Sequence, residues 1–157
     1  MKIPYSHFLK SFNTKVDINE LSKRLFQLGH EHEVEDEIFN FEFTPNRGDC
    51  LSLDGILRDL NVFYEINLKR DSFDGEIPLL KFNFENRSPN SCPNISFLKI
   101  EIDNEISEYT DNLKDYFNDL NVNKNNFFTD ISNFISYETG QPTHCYDSSK
   151  LSSEIVF

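Results

Sequence analysis

The sequence has 157 residues, enough for one ordinary domain or two small ones, and its 38% hydrophobic content includes sixteen Phe and six Tyr that can supply a core. The formal net charge is −12, so the overall field of the protein repels nucleic-acid phosphates. Any contact with a nucleic acid must therefore be local and made by a few basic residues. Cys50, Cys92 and Cys145 are odd in number and lack C-x-x-C spacing, which predicts neither a disulfide framework nor a zinc site.

The first predicted element is an amphipathic helix that begins after Asp17. Asp17 and Glu20 have the spacing of a capping box, and Gly29 is suited to end the helix. The apolar side chains between these signals recur at helical spacing, at Ile18, Leu21, Leu25 and Leu28. The pattern predicts one buried helix face.

Two histidines, His30 and His32, precede a segment whose alternating pattern predicts one strand over residues 34–43. Because alternate residues of a strand face the same side, the two imidazoles could bind one metal ion. The spacing specifies no third ligand, however. The favoured interpretation is a solvated, acidic entry to the strand, with no metal site.

A turn motif leads from this strand into the next helix. Its residues are Thr44, Pro45, Asn46, Arg47, Gly48 and Asp49, followed by Cys50, Leu51 and Ser52. The predicted helix has a buried face at Leu53, Ile56, Leu57, Leu60 and Tyr64. The helix start and Arg47 could hold a phosphate, but Asp49 is placed to cap the same N–H groups. The favoured interpretation is a rigid structural turn with Arg47 ion-paired or at the surface.

The middle of the chain predicts a linker followed by strands and a helix. The polar segment 69–75 is the predicted domain linker. Alternating apolar residues predict strands at 79–84 and 95–102, with a proline-containing loop at 86–94 between them. A helix is predicted where apolar residues recur at Tyr109, Leu113, Tyr116, Phe117 and Leu120. Residues 155–157 read as a strand without a partner, so we expect the N-terminal part of a longer subunit.

The stretch 125–147 combines helical spacing, a sharp stop and uncharged polar groups. A helix starting at Thr129 and Asp130 would bury Ile131, Phe134 and Ile135. Its opposite face carries three polar residues, Ser132, Asn133 and Ser136. Gly140 and Pro142 end the helix, and His144 follows on the exit loop. A polar helix face and a loop histidine can therefore share one pocket.

The stretches 44–52 and 125–147 resemble two motifs of the beta subunit of bacterial-type phenylalanyl-tRNA synthetase. The match in the second stretch comprises Asn125-Asn126, Asp130, Ser132-Asn133, Gly140-Gln141-Pro142, His144 and Asp147. The resemblance implies an α+β fold. A small N-terminal three-helix, winged-helix-like domain with a short sheet would occupy residues 1–70. The truncated first part of the family's tRNA-editing domain would occupy residues 71–157.

The resemblance implies a role in aminoacylation of tRNA and in hydrolysis of tyrosine wrongly attached to tRNA(Phe), a substrate that the synthetic pocket rejects imperfectly. His144 would then be catalytic, and Ser132 and Asn133 would bind substrate. The family usually has threonine at the position of Ser132. Further pocket residues of the family lie beyond position 157, so we expect no measurable editing by this chain alone.

The resemblance also implies partners and a location. We expect the alpha subunit in a heterotetramer, tRNA(Phe), no membrane and a cytoplasmic location. ATP and Mg²⁺ would act on the alpha subunit, with no cofactor on this chain. The alternative is a stand-alone, non-catalytic module for protein or RNA interaction, and the acidic composition favours a protein partner.

Overall fold

The computed structural model describes residues 1–66, 68, 73–103, 106, 108–152 and 154–157. Contacts divide the chain into two compact units, Met1–Arg70 with Glu108–His144, and Asp71–Ser107 with Cys145–Phe157. The division at Arg70 falls inside the predicted linker, of which residues 69–72 lie outside the described part. These compact units are not the same as the predicted domains 1–70 and 71–157, because the first unit also contains Glu108–His144. The domain division stays a prediction. The mixture of helices and small sheets confirms the α+β class.

The first unit contains three α-helices before residue 70, as predicted for residues 1–70: α1 (Tyr5–Leu9), α2 (Ile18–Gln27) and α3 (Leu53–Leu60). Helix α2 begins where the capping signal predicts, because the Asp17 carboxylate accepts hydrogen bonds from the backbone N–H groups of Asn19 and Glu20 at 2.9 and 3.3 Å. It is followed by Gly29 in the left-handed conformation, with φ of +82°.

Three antiparallel strands form the sheet of this unit: β1 (Lys2–Pro4), β2 (Glu31–Glu35) and β3 (Ile38–Glu42), in the order β1-β3-β2. The prediction of a single strand over 34–43 is wrong, because the chain reverses at Asp36 and Glu37. Both residues have positive φ, 50° and 61°, as a two-residue hairpin turn of the favoured twist requires. Neither residue is glycine, so the usual sequence signal of such a turn is missing.

The core lies between this sheet and the three helices. It is centred on fully buried side chains, which are Ile3, Phe8, Leu21, Leu25, Phe39, Cys50, Ile56 and Leu60. The rings of Phe8 and Phe39 meet edge to face, with centroids 5.5 Å apart. Burial of these side chains is the main stabilising contribution to the unit.

Helix α3 buries the predicted Leu53, Ile56, Leu57 and Leu60, but it ends before the predicted Tyr64, and its cap differs from expectation. The hydroxyl of Ser52 accepts the hydrogen bond from the backbone N–H of Gly55 at 3.0 Å. Asp49, expected as the cap, is instead paired with Arg47 and Arg58. A serine directly before the helix reaches the first-turn N–H groups, whereas Asp49 lies one short 3₁₀ turn (Gly48–Cys50) earlier.

Two further helices complete the first unit, α4 (Asp111–Asp119) and α5 (Phe127–Thr139). Helix α5 starts earlier than predicted, because Asn126 caps it by accepting from the backbone N–H of Thr129 at 3.1 Å. Asp130 is therefore inside the helix and fully buried. The predicted buried face is only half-buried at Ile131, Phe134 and Ile135.

Side chains of α1 hold α4 and α5 within this unit. His7 Nδ1 lies 2.7 Å from the hydroxyl of Tyr137 on α5, and His7 Nε2 lies 3.2 Å from Asp119 Oδ2 on α4. Ser6 donates a hydrogen bond to the same Asp119 at 2.7 Å, and Lys10 pairs with Asp115. The first helix of the chain is thus bonded to two helices more than a hundred residues later.

The second unit contains β4 (Asn83–Glu85) and β5 (Glu154–Val156), which pair in parallel with Phe84 opposite Ile155. The expectation that the last strand lacks a partner is therefore wrong, and the strand predicted at 79–84 is shorter and shifted. Residues 95–102 form no strand, although the ring of Phe97 lies 4.9 Å from that of Phe84. The segment 86–94 is a loop as predicted. None of the helices in the described residues is long and apolar enough to cross a bilayer.

Candidate functional site

The two stretches that carry the family resemblance meet at one cleft of the first unit. The cleft has a volume of about 460 Å³ and is formed by the turn before α3, the first turns of α3 and the end of α5. Its lining residues are Gly48, Asp49, Ser52, Asp54, Gly55, Arg58, Leu68, Thr139, Gly140 and Gln141. Segments far apart in sequence therefore build one surface.

Two glycines allow the close approaches that shape this cleft. Gly140 ends α5 with φ of +73°, and a Cβ there would lie 3.3 Å from the side chain of Ser52. Gly55 lies in the first turn of α3, and a Cβ there would come within 2.1 Å of the carbonyl oxygen of Asp49. Any side chain at Gly55 would force the turn of the motif away from α3.

Arg47, Asp49, Arg58 and Asp59 form a network of ion pairs at the turn. Arg47 Nε lies 3.0 Å from Asp49 Oδ1, and Arg47 Nη2 also pairs with Asp59. Arg58 Nη2 pairs with Asp49 and lies 3.0 Å from Asp59 Oδ1. Both arginines thus have carboxylate partners in this turn, and the charges of the network sum to zero.

This network changes the protonation of its acids. Hydrogen bonds from Arg47 and Arg58 hold the pKa of Asp49 well below its usual range. Burial alone would raise the pKa of Asp59, but hydrogen bonds from the same two arginines outweigh it and lower that pKa. Both acids stay ionised at neutral pH. The arrangement is suited to locking the turn, and an incoming phosphate would have to compete with two carboxylates for Arg47.

The exit loop after α5 folds back along the polar face of the helix. Ser136 donates a hydrogen bond to the carbonyl oxygen of Gln141 at 3.2 Å. Ser132, one turn earlier, donates to the carbonyl of Thr143, and the two hydroxyls lie 3.0 Å apart. The left-handed conformation of Gly140 makes this reversal of direction possible.

The three predicted site residues lie on this face and loop. Ser132 is half-buried, Asn133 is exposed on the next position of the helix, and His144 is exposed directly after the bonded Thr143. The structure therefore brings Ser132 to the loop that carries His144. A shared editing pocket of Ser132, Asn133 and His144 stays a prediction.

The role of Asp130 is a feature that the sequence analysis did not predict. Its buried carboxylate accepts hydrogen bonds from the hydroxyl of Tyr109 at 2.6 Å and from the backbone N–H of Asn125 at 3.0 Å. Burial, with the hydrogen bond to Asp130, raises the pKa of Tyr109 to about 12. The bond fixes the segment before α4 to the start of α5. Only the spacing of an aspartate on an otherwise apolar helix face hints at it.

The two histidines weighed as metal ligands have separate partners. His30 Nε2 lies 3.1 Å from Asp59 Oδ2. His32 Nε2 lies 2.8 Å from the hydroxyl of Ser22, and its Nδ1 lies 2.8 Å from the carbonyl oxygen of His30. The ring nitrogens of His30 and His32 therefore contact different groups.

Comparison with known proteins identifies relatives of the chain. The B3/4 domain family matches residues 91–157. Proteins named phenylalanine–tRNA ligase beta subunit are similar over most of the chain. That of Rickettsia bellii is 34% identical over 130 residues, covering 78% of this chain and 14% of the relative. That of Fusobacterium nucleatum is 31% identical, covering 78% and 16%.

A third such protein, from Wolbachia sp. subsp. Brugia malayi, is 28% identical over 156 residues, covering 87% of this chain and 20% of the relative. The chain therefore spans a fifth or less of the length of these relatives. No solved structure is significantly similar to it. The resemblance seen in the two motifs is confirmed by relatives that cover most of the chain.

Proposed function

We propose that this chain, which is related to phenylalanine–tRNA ligase beta subunits, supplies one wall of a site that hydrolyses tyrosine from mischarged tRNA(Phe). The subunit to which it corresponds would act in aminoacylation for protein synthesis, in the cytoplasm, in a heterotetramer with an alpha subunit. ATP and Mg²⁺ would be used on that alpha subunit, and we assign no residue of this chain to them.

The observation that carries the proposal is the fold of the exit loop onto α5. The bond from Ser132 to Thr143 holds the residue before His144 against a helix face of uncharged polar groups. Ester hydrolysis needs a positioned water and donors for the oxyanion that develops on the carbonyl. An imidazole and an amide on neighbouring, braced segments can supply both.

The roles of the three residues then differ. The Ser132 hydroxyl donates its hydrogen bond to the carbonyl oxygen of Thr143, so Ser132 is a positioning residue that fixes the loop. The exposed Asn133 amide is suited to donate to the substrate ester. His144, exposed on the loop, would orient the attacking water or the ribose.

The negative net charge of the chain makes it poorly suited to attract tRNA. The chain carries a net charge of −12, and Arg47 and Arg58 are paired with carboxylates. Most of the attraction of the tRNA phosphates would then come from other parts of the assembly. We expect no measurable turnover from the chain alone, so the natural subunit with its alpha partner is the preparation to test.

The test is deacylation of Tyr-tRNA(Phe) by that assembly. Asn133→Ala and His144→Ala should each slow deacylation by about 10²-fold, the usual effect of removing one oxyanion donor or one positioned acid–base group. Formation of Phe-tRNA(Phe) should be unchanged. Asn118→Ala, which alters an exposed asparagine of α4 in the same unit, is the matched control.

Two outcomes would count against the proposal in different ways. Deacylation at the wild-type rate in both variants would remove the editing role and leave the subunit assignment standing. Failure of the chain to co-purify with an alpha subunit would instead favour the stand-alone interaction module.

A further inference from the structure

Three metal-ligating side chains converge beneath the turn that precedes α3. The group consists of His30, Cys50 and Asp59, whose ligand atoms all lie within 4.8 Å of one another. His30 Nε2 lies 3.1 Å from Asp59 Oδ2, and Cys50 Sγ lies 3.6 Å from the same oxygen. His30 lies directly before β2, Cys50 lies in the 3₁₀ turn and Asp59 lies in α3, so elements packed on the core fix their backbone positions.

The two separations from the Asp59 oxygen, 3.1 and 3.6 Å, are close to those between ligands around a tetrahedral cation. Zinc bonds of about 2.0–2.3 Å to nitrogen, oxygen and sulfur place neighbouring ligand atoms about 3.3–3.6 Å apart. His30 and Cys50 are buried, with 2% and 0% of their surface exposed, whereas the Asp59 side chain is 19% exposed. Two of the three ligands are thus shielded from solvent, and the third, Asp59, is accessible to it.

We propose that His30, Cys50 and Asp59 bind a thiophilic divalent cation of the Zn²⁺ type, with water as a fourth ligand. Cys50 binds as the thiolate and releases its proton to solvent, while His30 binds through neutral Nε2 and Asp59 through a carboxylate oxygen. One sulfur, one imidazole and one carboxylate suit zinc better than Mg²⁺ or Ca²⁺, which prefer oxygen alone.

Arg47 is the internal competitor for this site. Its Nη2 lies 2.7 Å from Cys50 Sγ and pairs with Asp59, so a guanidinium cation contacts two of the three ligands. The same side chain is bonded to both oxygens of Asp49 at 3.0 and 3.1 Å. The bond from Nε to Asp49 does not involve Nη2, so it can persist when Nη2 moves away from Cys50 and Asp59. Metal binding therefore exchanges one cation for another, and removal of Arg47 should strengthen it.

One ring contact restricts the orientation of the His30 imidazole. The His30 ring meets Phe43 edge to face, with centroids 5.7 Å apart. His32, two residues later, is held by Ser22 and by the His30 carbonyl oxygen. A substitution of His32 alters a neighbouring buried histidine without removing a proposed ligand, which provides a matched control.

The experiment is a Co²⁺ titration of the full chain carrying Cys92→Ser and Cys145→Ser, so that Cys50 is the remaining thiol. We expect tetrahedral d–d bands, a thiolate-to-cobalt charge-transfer band, one cobalt per chain and displacement by Zn²⁺. Cys50→Ser should abolish the charge-transfer band. His30→Gln and Asp59→Asn should weaken binding at least tenfold, Arg47→Gln should tighten it at least tenfold, and His32→Gln should leave the spectrum unchanged.

The outcome does not depend on the proposed editing function, because the readout is spectroscopic. Absence of the charge-transfer band in the protein with Cys50 as its remaining thiol would overturn the proposal, and this result needs no further variant to fold. Equal cobalt affinity in Cys50→Ser would also overturn it. Circular dichroism on each folded variant separates loss of a ligand from loss of structure.

Discussion

Gly140, the residue that ends α5, lies directly against Ser52, the residue that caps α3. A Cβ on Gly140 would lie 3.3 Å from both the Cβ and the Oγ of Ser52. The C-terminal end of α5 thereby packs against the N-terminal end of α3 through the side chain of Ser52. Because these residues belong to the two family-like stretches, the contact explains how the two stretches share one cleft.

Replacing Gly140 by alanine should destabilise the first unit in two ways. Its φ of +73° is costly for a residue with a Cβ, by about 1–2 kcal/mol, and the added methyl group would press on Ser52. Gly29 is the matched control, since its φ is +82° but no atom lies within 4 Å of the position of its Cβ. Urea denaturation should show a larger loss for Gly140→Ala than for Gly29→Ala, and equal losses would mean that the contact with Ser52 is unimportant.

Removing the Ser52 hydroxyl should weaken α3. Ser52→Ala deletes the acceptor for the N–H of Gly55 in a buried position and should lower the free energy of unfolding by about 1 kcal/mol. Asp49→Ala leaves this cap in place and removes partly exposed ion pairs, so its loss should be smaller. Chemical denaturation of the two variants tests which residue caps the helix, and a larger loss in Asp49→Ala would contradict the assignment to Ser52.

Local signals made part of this fold predictable. Helix α2 follows from the residues on either side of it, because Asp17 caps it, the apolar residues repeat at helical spacing and Gly29 ends it. The start of α3 was also foreseen. In each case the interactions that decide the structure lie within a few residues along the chain.

Features that depend on pairing with another segment were missed. The hairpin at Asp36 and Glu37 is set by pairing of β2 and β3, although the turn contains no glycine. Residues 83–85 and 154–156 pair across most of the second unit, which no local pattern could indicate.

The candidate site was predictable in its residues more than in their contacts. The polar face of α5 and the position of His144 after Gly140 follow from spacing. The bond between Ser132 and Thr143 does not, since either hydroxyl could have faced solvent. The convergence of His30, Cys50 and Asp59 depends on the packing of three separate segments. A search for short cysteine motifs cannot detect such a group.

Substitution of Asp130 should loosen the start of α5. Asp130→Ala removes the acceptor for the Tyr109 hydroxyl and the N–H of Asn125, and leaving such groups unsatisfied costs about 1–3 kcal/mol. Asp130→Asn keeps an acceptor oxygen and should lose less. Ultraviolet titration adds an independent readout, because the pKa of Tyr109, now about 12, should fall towards its ordinary value in Asp130→Ala. An unchanged titration in that variant would contradict the hydrogen bond.

Three buried histidines should make the protein sensitive to mild acid. Burial is the main cause that lowers the pKa values of His7, His30 and His32 below 6.5. Between its folded and unfolded pKa values, each imidazole is protonated in the unfolded chain and neutral in the folded one. Their contribution to stability is therefore complete above about pH 6.5 and is lost as the pH falls, by up to about 1.4 kcal/mol per pH unit for each group.

Urea denaturation between pH 7.5 and 5.5, with a chelator present, tests this dependence. Asp49 and Asp59 do not contribute to it in that range, because their lowered pKa values place their own losses at more acidic pH. His7→Gln should lower stability at pH 7.5, since it loses contacts with Tyr137 and Asp119, yet flatten the change on acidification. Asn118→Ala, at an exposed position of α4, should keep the wild-type slope. Stability that stays constant across this range in the wild type would show that the imidazoles can be protonated in the folded chain at no cost.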